Sequence, residues 1–213
     1  LTVSTSGSLF YLGTAQSFSL FIVPFVATII LFQTSYKNVA PSFHFIQFKY
    51  AKELTSFGFQ FFVLQIATII VFSTSNIIIA QLFSPAEVTP YNIAYKYFNI
   101  VTMGFGILLT PFWSAFTEAF HKSDFVWIKN VIKKLQSVWL IVAVCVVLMI
   151  TFSSFIYRLW IGREIAIPFS LTLMCGLYVI LSSWNSIYAS FINGVGKIRL
   201  QMYSAVFIVV INI

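Results

Sequence analysis

Residues 137–157 read SVWLIVAVCVVLMITFSSFIY. None of these 21 side chains is charged. Wound as a helix at about 1.5 Å per residue, the stretch reaches across a hydrocarbon layer roughly 30 Å thick. A helix also satisfies its own backbone hydrogen bonds in lipid, as an open sheet cannot. Working outward, comparable apolar runs occupy residues 91–115 and 59–83 on one side and 167–192 on the other, with a further run at 9–32 and a truncated one from Leu200. The expected fold is therefore all-α, a polytopic transmembrane helical bundle.

Composition agrees. The 213 residues are 60% hydrophobic and 8% charged, with a mean hydropathy of +0.95, whereas soluble domains carry about 25% charge. A soluble globular fold is excluded. Length alone leaves room for four complete crossings with partial ones at the ends, at roughly 20 residues each. The chain starts at Leu1 rather than methionine and stops inside an apolar run, so we expect an internal fragment of a longer protein. The 9–32 run lacks a preceding cation and a small-residue cleavage signal, which makes it a membrane helix rather than a secretory signal.

The formal charge of +7 is read as topology. Between the runs lie Lys37, Lys49 and Lys52, then no cation in 84–90, then Lys122, Lys129, Lys133 and Lys134, then Arg158 and Arg163, then Lys197 and Arg199. Alternate loops hold nine cations against two, and cytoplasmic loops carry the excess. Residues 1–8, 84–90 and 158–166 are thus expected on the far side. Thr89-Pro90 offers a helix cap followed by a proline at a first helical position, and Asn193-Gly194 a helix stop. Between Asp124 and Gln136, Phe125, Ile128, Val131, Ile132 and Leu135 recur at helical spacing opposite Lys129, Lys133 and Lys134. This pattern predicts a basic amphipathic helix lying on the cytoplasmic membrane surface as a connector.

Catalytic chemistry is sparse. Glu53, Glu87, Glu118, Asp124 and Glu164 are scattered, and no acidic pair shares a helix face. His44 and His121 are isolated loop histidines without metal-ligand spacing. Gly194-Val195-Gly196-Lys197 lacks the spacing of a phosphate-binding loop. Cys145 and Cys175, inside apolar runs, behave as small hydrophobes. No metal and no cofactor is expected.

Polar residues inside the spans stand out instead. Asn76, about 25 Å up its helix from the cytoplasmic end, and the residues Tyr91, Asn92, Tyr95, Lys96 and Asn99 can form one polar surface near the outer leaflet. Lys96 is the strongest clue, because a charge within a span faces a cavity or a partner. The bland reading is a lysine snorkelling to the outer interface; Asn92, Tyr95 and Asn99 on its face favour the first. Pro111 permits bending of the same helix, Trp113 reads equally well as an interfacial anchor, and Trp184, Asn185 and Ser186 sit midway along the next-to-last run.

The ordered motifs Asn76-Ile77-Ile78-Ile79-Ala80, Val88-Thr89-Pro90-Tyr91-Asn92-Ile93-Ala94-Tyr95-Lys96, Pro111-Phe112-Trp113-Ser114-Ala115-Phe116-Thr117-Glu118-Ala119 and Asn193-Gly194-Val195-Gly196-Lys197 resemble bacterial polysaccharide flippases of the O-antigen translocase type. These belong to the multidrug/oligosaccharidyl-lipid/polysaccharide exporter superfamily. The resemblance implies roughly 12 to 14 helices in two lobes around a cavity. Residues 1–32 would be the last helix of the first lobe, 33–58 a cytoplasmic linker between lobes, and 59–213 a second-lobe bundle truncated at its end.

The implied activity is translocation of an undecaprenyl-pyrophosphate-linked oligosaccharide across the bacterial cytoplasmic (inner) membrane by alternating access. Lys96 would then pair with pyrophosphate, while Asn76, Tyr91, Tyr95 and Asn185 would meet the sugars. Pro111 and Glu118 would serve gating or coupling. The implied partners are the lipid-linked substrate, membrane lipids and other polysaccharide-assembly proteins, with no nucleic acid. The alternatives are a small-molecule:cation antiporter of the same superfamily, expected to show a membrane-embedded carboxylate, and a membrane polysaccharide polymerase or glycosyltransferase, expected to show large outer loops.

Overall fold

Runs without charge or helix-breaking pairs become uninterrupted helices. A computed structural model of the chain describes residues 8–42, 47–162 and 165–212. The expectations for residues 1–7, His44, Arg163 and Glu164 lie outside them. Among the described residues six α-helices appear in the order α1 (Ser8–Gln33), α2 (Ala51–Leu82), α3 (Val88–His121), α4 (Phe125–Ile161), α5 (Phe169–Val195) and α6 (Arg199–Asn212). No strand occurs among the described residues. The first five helices are long and apolar enough to cross a membrane. Four complete crossings is therefore one too few, because α1 alone has 26 residues.

The chain divides into two units, Leu1–Glu53 and Leu54–Ile213. In the first, α1 exposes nearly all of its apolar side chains. In the second, α3, α4 and α5 form the core, with α3 and α5 in the most extensive contact. Lipid tails are as apolar as leucine, so helices there associate through close packing and hydrogen bonds. Two buried clusters do this work. One joins Phe98, Val146 and Val179, the other Phe116, Leu135 and Ile187. α2 lies along α3 through side chains, with Phe61 against Trp113 at 5.6 Å and Phe72 against Tyr95 at 5.1 Å between ring centroids.

These contacts bring the start of α2, the end of α3, the start of α4, the end of α5 and the start of α6 to one end of the bundle. Lys122, Lys129, Lys133, Lys134, Lys197 and Arg199 all belong there, and we call it the basic end. The same alternation that separates the loops by charge therefore separates the ends of the bundle.

Three local expectations are corrected. The segment 124–136 is not a separate surface helix: α4 runs unbroken for 37 residues, about 55 Å, well beyond the hydrocarbon thickness. Its apolar stripe, Ile128, Val131 and Leu135, is buried against α3 and α5, and nothing near Gln136 breaks the helix. Thr89 is not the cap of α3; Glu87 stands there without a side-chain cap bond, and Pro90 falls in the first turn.

The third correction concerns α5, which continues through Gly194 to Val195 and stops at Gly196, whose φ is +75°. Lys197 N–H donates to the Ile192 carbonyl at 3.2 Å and Gly196 N–H to that of Asn193 at 3.1 Å, the paired bonds of a left-handed helix stop. The α3–α4 joint repeats this pattern with Ser123 at φ +55°. Asp124 then caps α4 by accepting the Trp127 N–H at 2.9 Å.

Candidate functional site

The polar residues picked out in α2 and α3 meet at the end of the bundle opposite the basic end. Asn92 donates from Nδ2 to Asn76 Oδ1 and to the Val88 carbonyl, both at 2.9 Å. Asn76 in turn donates to the Phe72 carbonyl at 2.9 Å. The two amides thus form a clasp between α2 and α3, satisfied largely from within. Tyr91 and Tyr95 stack at 6.3 Å on one side of α3, both half-buried. Cys175 and Tyr178 of α5 lie near both tyrosines.

Lys96 and Asn99 are exposed on α3. Lys96 makes no hydrogen bond or ion pair among the described residues, so its charge is available to a partner from outside the unit. The strip formed by Asn76, Tyr91, Asn92, Tyr95 and Lys96 can donate hydrogen bonds, stack on a ring and balance one negative charge.

Asn185 does not join this strip. It is exposed on α5, about 10 Å further along the helix than the level of Tyr178, beside the Phe116–Ile187 core. Its neighbour Trp184 stacks edge-on with Trp139 at 4.7 Å and with Tyr188 at 5.6 Å. Trp139 donates to the Ile180 carbonyl, and Gln136 donates to the Tyr188 hydroxyl, each at 2.9 Å. That cluster ties α4 to α5 and uses its own polar groups.

Pro111 is exposed within an α3 that continues through it, leaving the Ile107 carbonyl without its usual helical donor. Glu118 is exposed and ion-paired with Lys122 one turn on, and by accepting that hydrogen bond it holds the Lys122 ammonium above its ordinary range. Among the described residues no three of His, Cys, Asp and Glu gather as a metal group would.

Sequence reasoning missed a close backbone contact between α3 and α5. The Thr117 hydroxyl donates to the Gly194 carbonyl at 2.7 Å. A Cβ on Gly194 would lie 2.8 Å from the Trp113 carbonyl oxygen and 2.9 Å from Phe116 Cβ. The only signal was a glycine inside a helical run, which equally marks a stop.

Long apolar helices carrying a polar strip at one end and cations at the other define a multi-pass α-helical membrane protein. More narrowly, the chain belongs to the polysaccharide biosynthesis protein family, which matches residues 1–113. Family and helices together make it a multi-pass protein of the bacterial inner membrane. It is similar to a Yersinia pseudotuberculosis protein described as a "Putative O-antigen export protein", at 25% identity over 144 residues, 67% of this chain and 33% of that protein. The chain thus spans about a third of the length of this relative. No solved structure matches it.

Proposed function

We propose that this chain is part of a transporter that carries a lipid-linked oligosaccharide, its sugars joined to undecaprenyl pyrophosphate, from the inner to the outer leaflet. The observation that carries the reading is the strip of Asn76, Asn92, Tyr91, Tyr95 and Lys96 set into otherwise apolar helices. A free cation inside a span is costly unless it meets a partner or water. Lys96 would balance one charge of the pyrophosphate, and the tyrosine pair and adjoining amides would meet the sugars. The first lobe would supply the remaining cations. The basic end would face the cytoplasm, with residues 33–58 linking the lobes and 59–213 belonging to the second.

Movement would be alternating access, one lobe rocking against the other. The contact between Gly194 and the Trp113 carbonyl supports a pivot at the basic end, and the missing donor at Pro111 supports bending of α3 above it. Glu118, already paired with Lys122, is better suited to holding the end of α3 than to shuttling protons. The relative described as an export protein supports transport over synthesis.

Deleting the full-length gene in its host and resolving lipid-linked sugars by leaflet tests this. Finished units accumulating on the cytoplasmic leaflet are expected. Incomplete units, or finished units stranded outside, would overturn the proposal in favour of a synthase or polymerase.

A further inference from the structure

The stop of α5 leaves a feature that the Lys96 strip does not use. Gly196, Lys197, Arg199 and Leu200 form one wall of a cleft of about 530 Å³, and Gln60 of α2 forms the other. Cavities of this size accommodate small polar headgroups. The left-handed residue at Gly196 turns the chain so that Lys197 and Arg199 reach the same opening, with the ring of Phe57 3.6 Å from where a Gly196 Cβ would stand.

The charge there is unbalanced. No acidic side chain lines the cleft, and neither Lys197 nor Arg199 has an ion pair among the described residues, where the single one joins Lys122 to Glu118. The nearby Asp124 carboxylate is engaged in capping α4. Lys197 rests its ammonium 5.8 Å from the Phe120 ring centroid, which steadies it without neutralising it. Gln60 uses one amide hydrogen on the Ser56 carbonyl at 3.1 Å and keeps the other. The first turn of α6 starts at the cleft, adding backbone N–H groups and the positive end of the helix dipole.

We infer that this cleft binds the phosphate of a membrane lipid at the basic end of the bundle. Arg199 offers the planar, two-pronged donor geometry suited to phosphate oxygens and Lys197 a point charge beside it. Gln60 and the α6 N–H groups orient the group, and the apolar side chain of Leu200 leads away along the acyl chain. The inference stands independently of the saccharide reading, because both bilayer phospholipid and polyprenyl pyrophosphate present this chemistry.

The test uses the full-length protein in phosphatidylcholine nanodiscs with two photoreactive probes, phosphatidylglycerol and undecaprenyl pyrophosphate. Crosslinks are mapped by mass spectrometry. Labelling of residues 57–60 or 193–201 is expected, falling about tenfold or more in the Lys197→Gln/Arg199→Gln double variant and recovering in Lys197→Arg/Arg199→Lys. Preference for the first probe identifies a bilayer lipid, preference for the second the carried one. A Lys133→Gln/Lys134→Gln variant, which removes as much charge from the same end, keeps full labelling. Absence of labelling in folded protein, or an equal loss in both charge-removal variants, would overturn the inference by reducing the effect to general surface charge.

Discussion

The two ends of the Leu54–Ile213 unit are held by different means. At the basic end, backbone meets backbone: α3 and α5 approach until Gly194 leaves no room for a methyl group, and Phe116 wedges against Phe191 and Trp127 at 5.5 and 6.1 Å. At the Lys96 end, side chains do the holding. Asn92 clasps Asn76, the Tyr97 hydroxyl donates to the Met149 carbonyl at 3.1 Å, and Thr172 reaches the Tyr157 hydroxyl at 3.4 Å. Side-chain bonds exchange partners at small cost, whereas a helix pressed on a backbone carbonyl cannot be repacked locally. The basic end is therefore expected to be harder to open than the end that carries Lys96.

The largest effect on stability tests the tight end. Gly194→Ala is expected to destabilise the full-length protein by about 2 kcal/mol, because the obstructing atom is a backbone oxygen that no rotamer change removes. Gly176→Ala supplies the contrast. Its Cβ would meet Ile150 Cδ1 at 2.5 Å and Cγ1 at 2.8 Å; these are side-chain atoms that can shift, unlike a carbonyl oxygen, so a smaller loss of about 1 kcal/mol is expected. Chemical unfolding in detergent compares the two, and equal losses would erase the distinction between the ends.

A smaller effect is expected at the clasp. Interhelical hydrogen bonds in membranes are worth about 0.6 kcal/mol on average and up to roughly 1.7, so Asn92→Ala should cost about 1 kcal/mol by the same measurement. A loss as large as that of Gly194→Ala would mean that the Lys96 end is as rigid as the other. The smallest change is a gain: Ser123→Gly relieves a left-handed residue at the end of α3 and should stabilise the protein by about 0.5–1 kcal/mol. A loss there would show that the Ser123 side chain contributes more than its backbone conformation costs.

The spans were legible because charge is so costly in lipid that its absence over residues 137–157, and its restriction to Lys96 over 91–115, leaves little choice. The assignment of loops to two ends was legible for the same reason, through the placement of lysines. Contacts were not. Gly194 and Gly196 are two residues apart and read alike, yet one is a packing contact and the other a left-handed stop, a difference set by what α3 presents. The stripe Ile128, Val131 and Leu135 reads the same whether lipid or Phe116 covers it, so the unbroken α4 could not be foreseen. Asn76 and Asn92 were both visible as polar intrusions, but their bond depends on how α2 leans on α3. The pairing of Glu118 with Lys122 was visible as spacing and competes with its expected role in coupling.

The central claim is that the exposed charge on Lys96 serves transport rather than packing. The direct measurement is surface polysaccharide in a host whose full-length gene carries Lys96→Ala or Lys96→Arg, at matched amounts of folded membrane protein. Loss of one charge-assisted contact, about 1.5–3 kcal/mol, predicts export reduced roughly tenfold or more in Lys96→Ala and largely retained in Lys96→Arg. Normal export from Lys96→Ala would contradict the account and return Lys96 to a lysine reaching for the membrane surface.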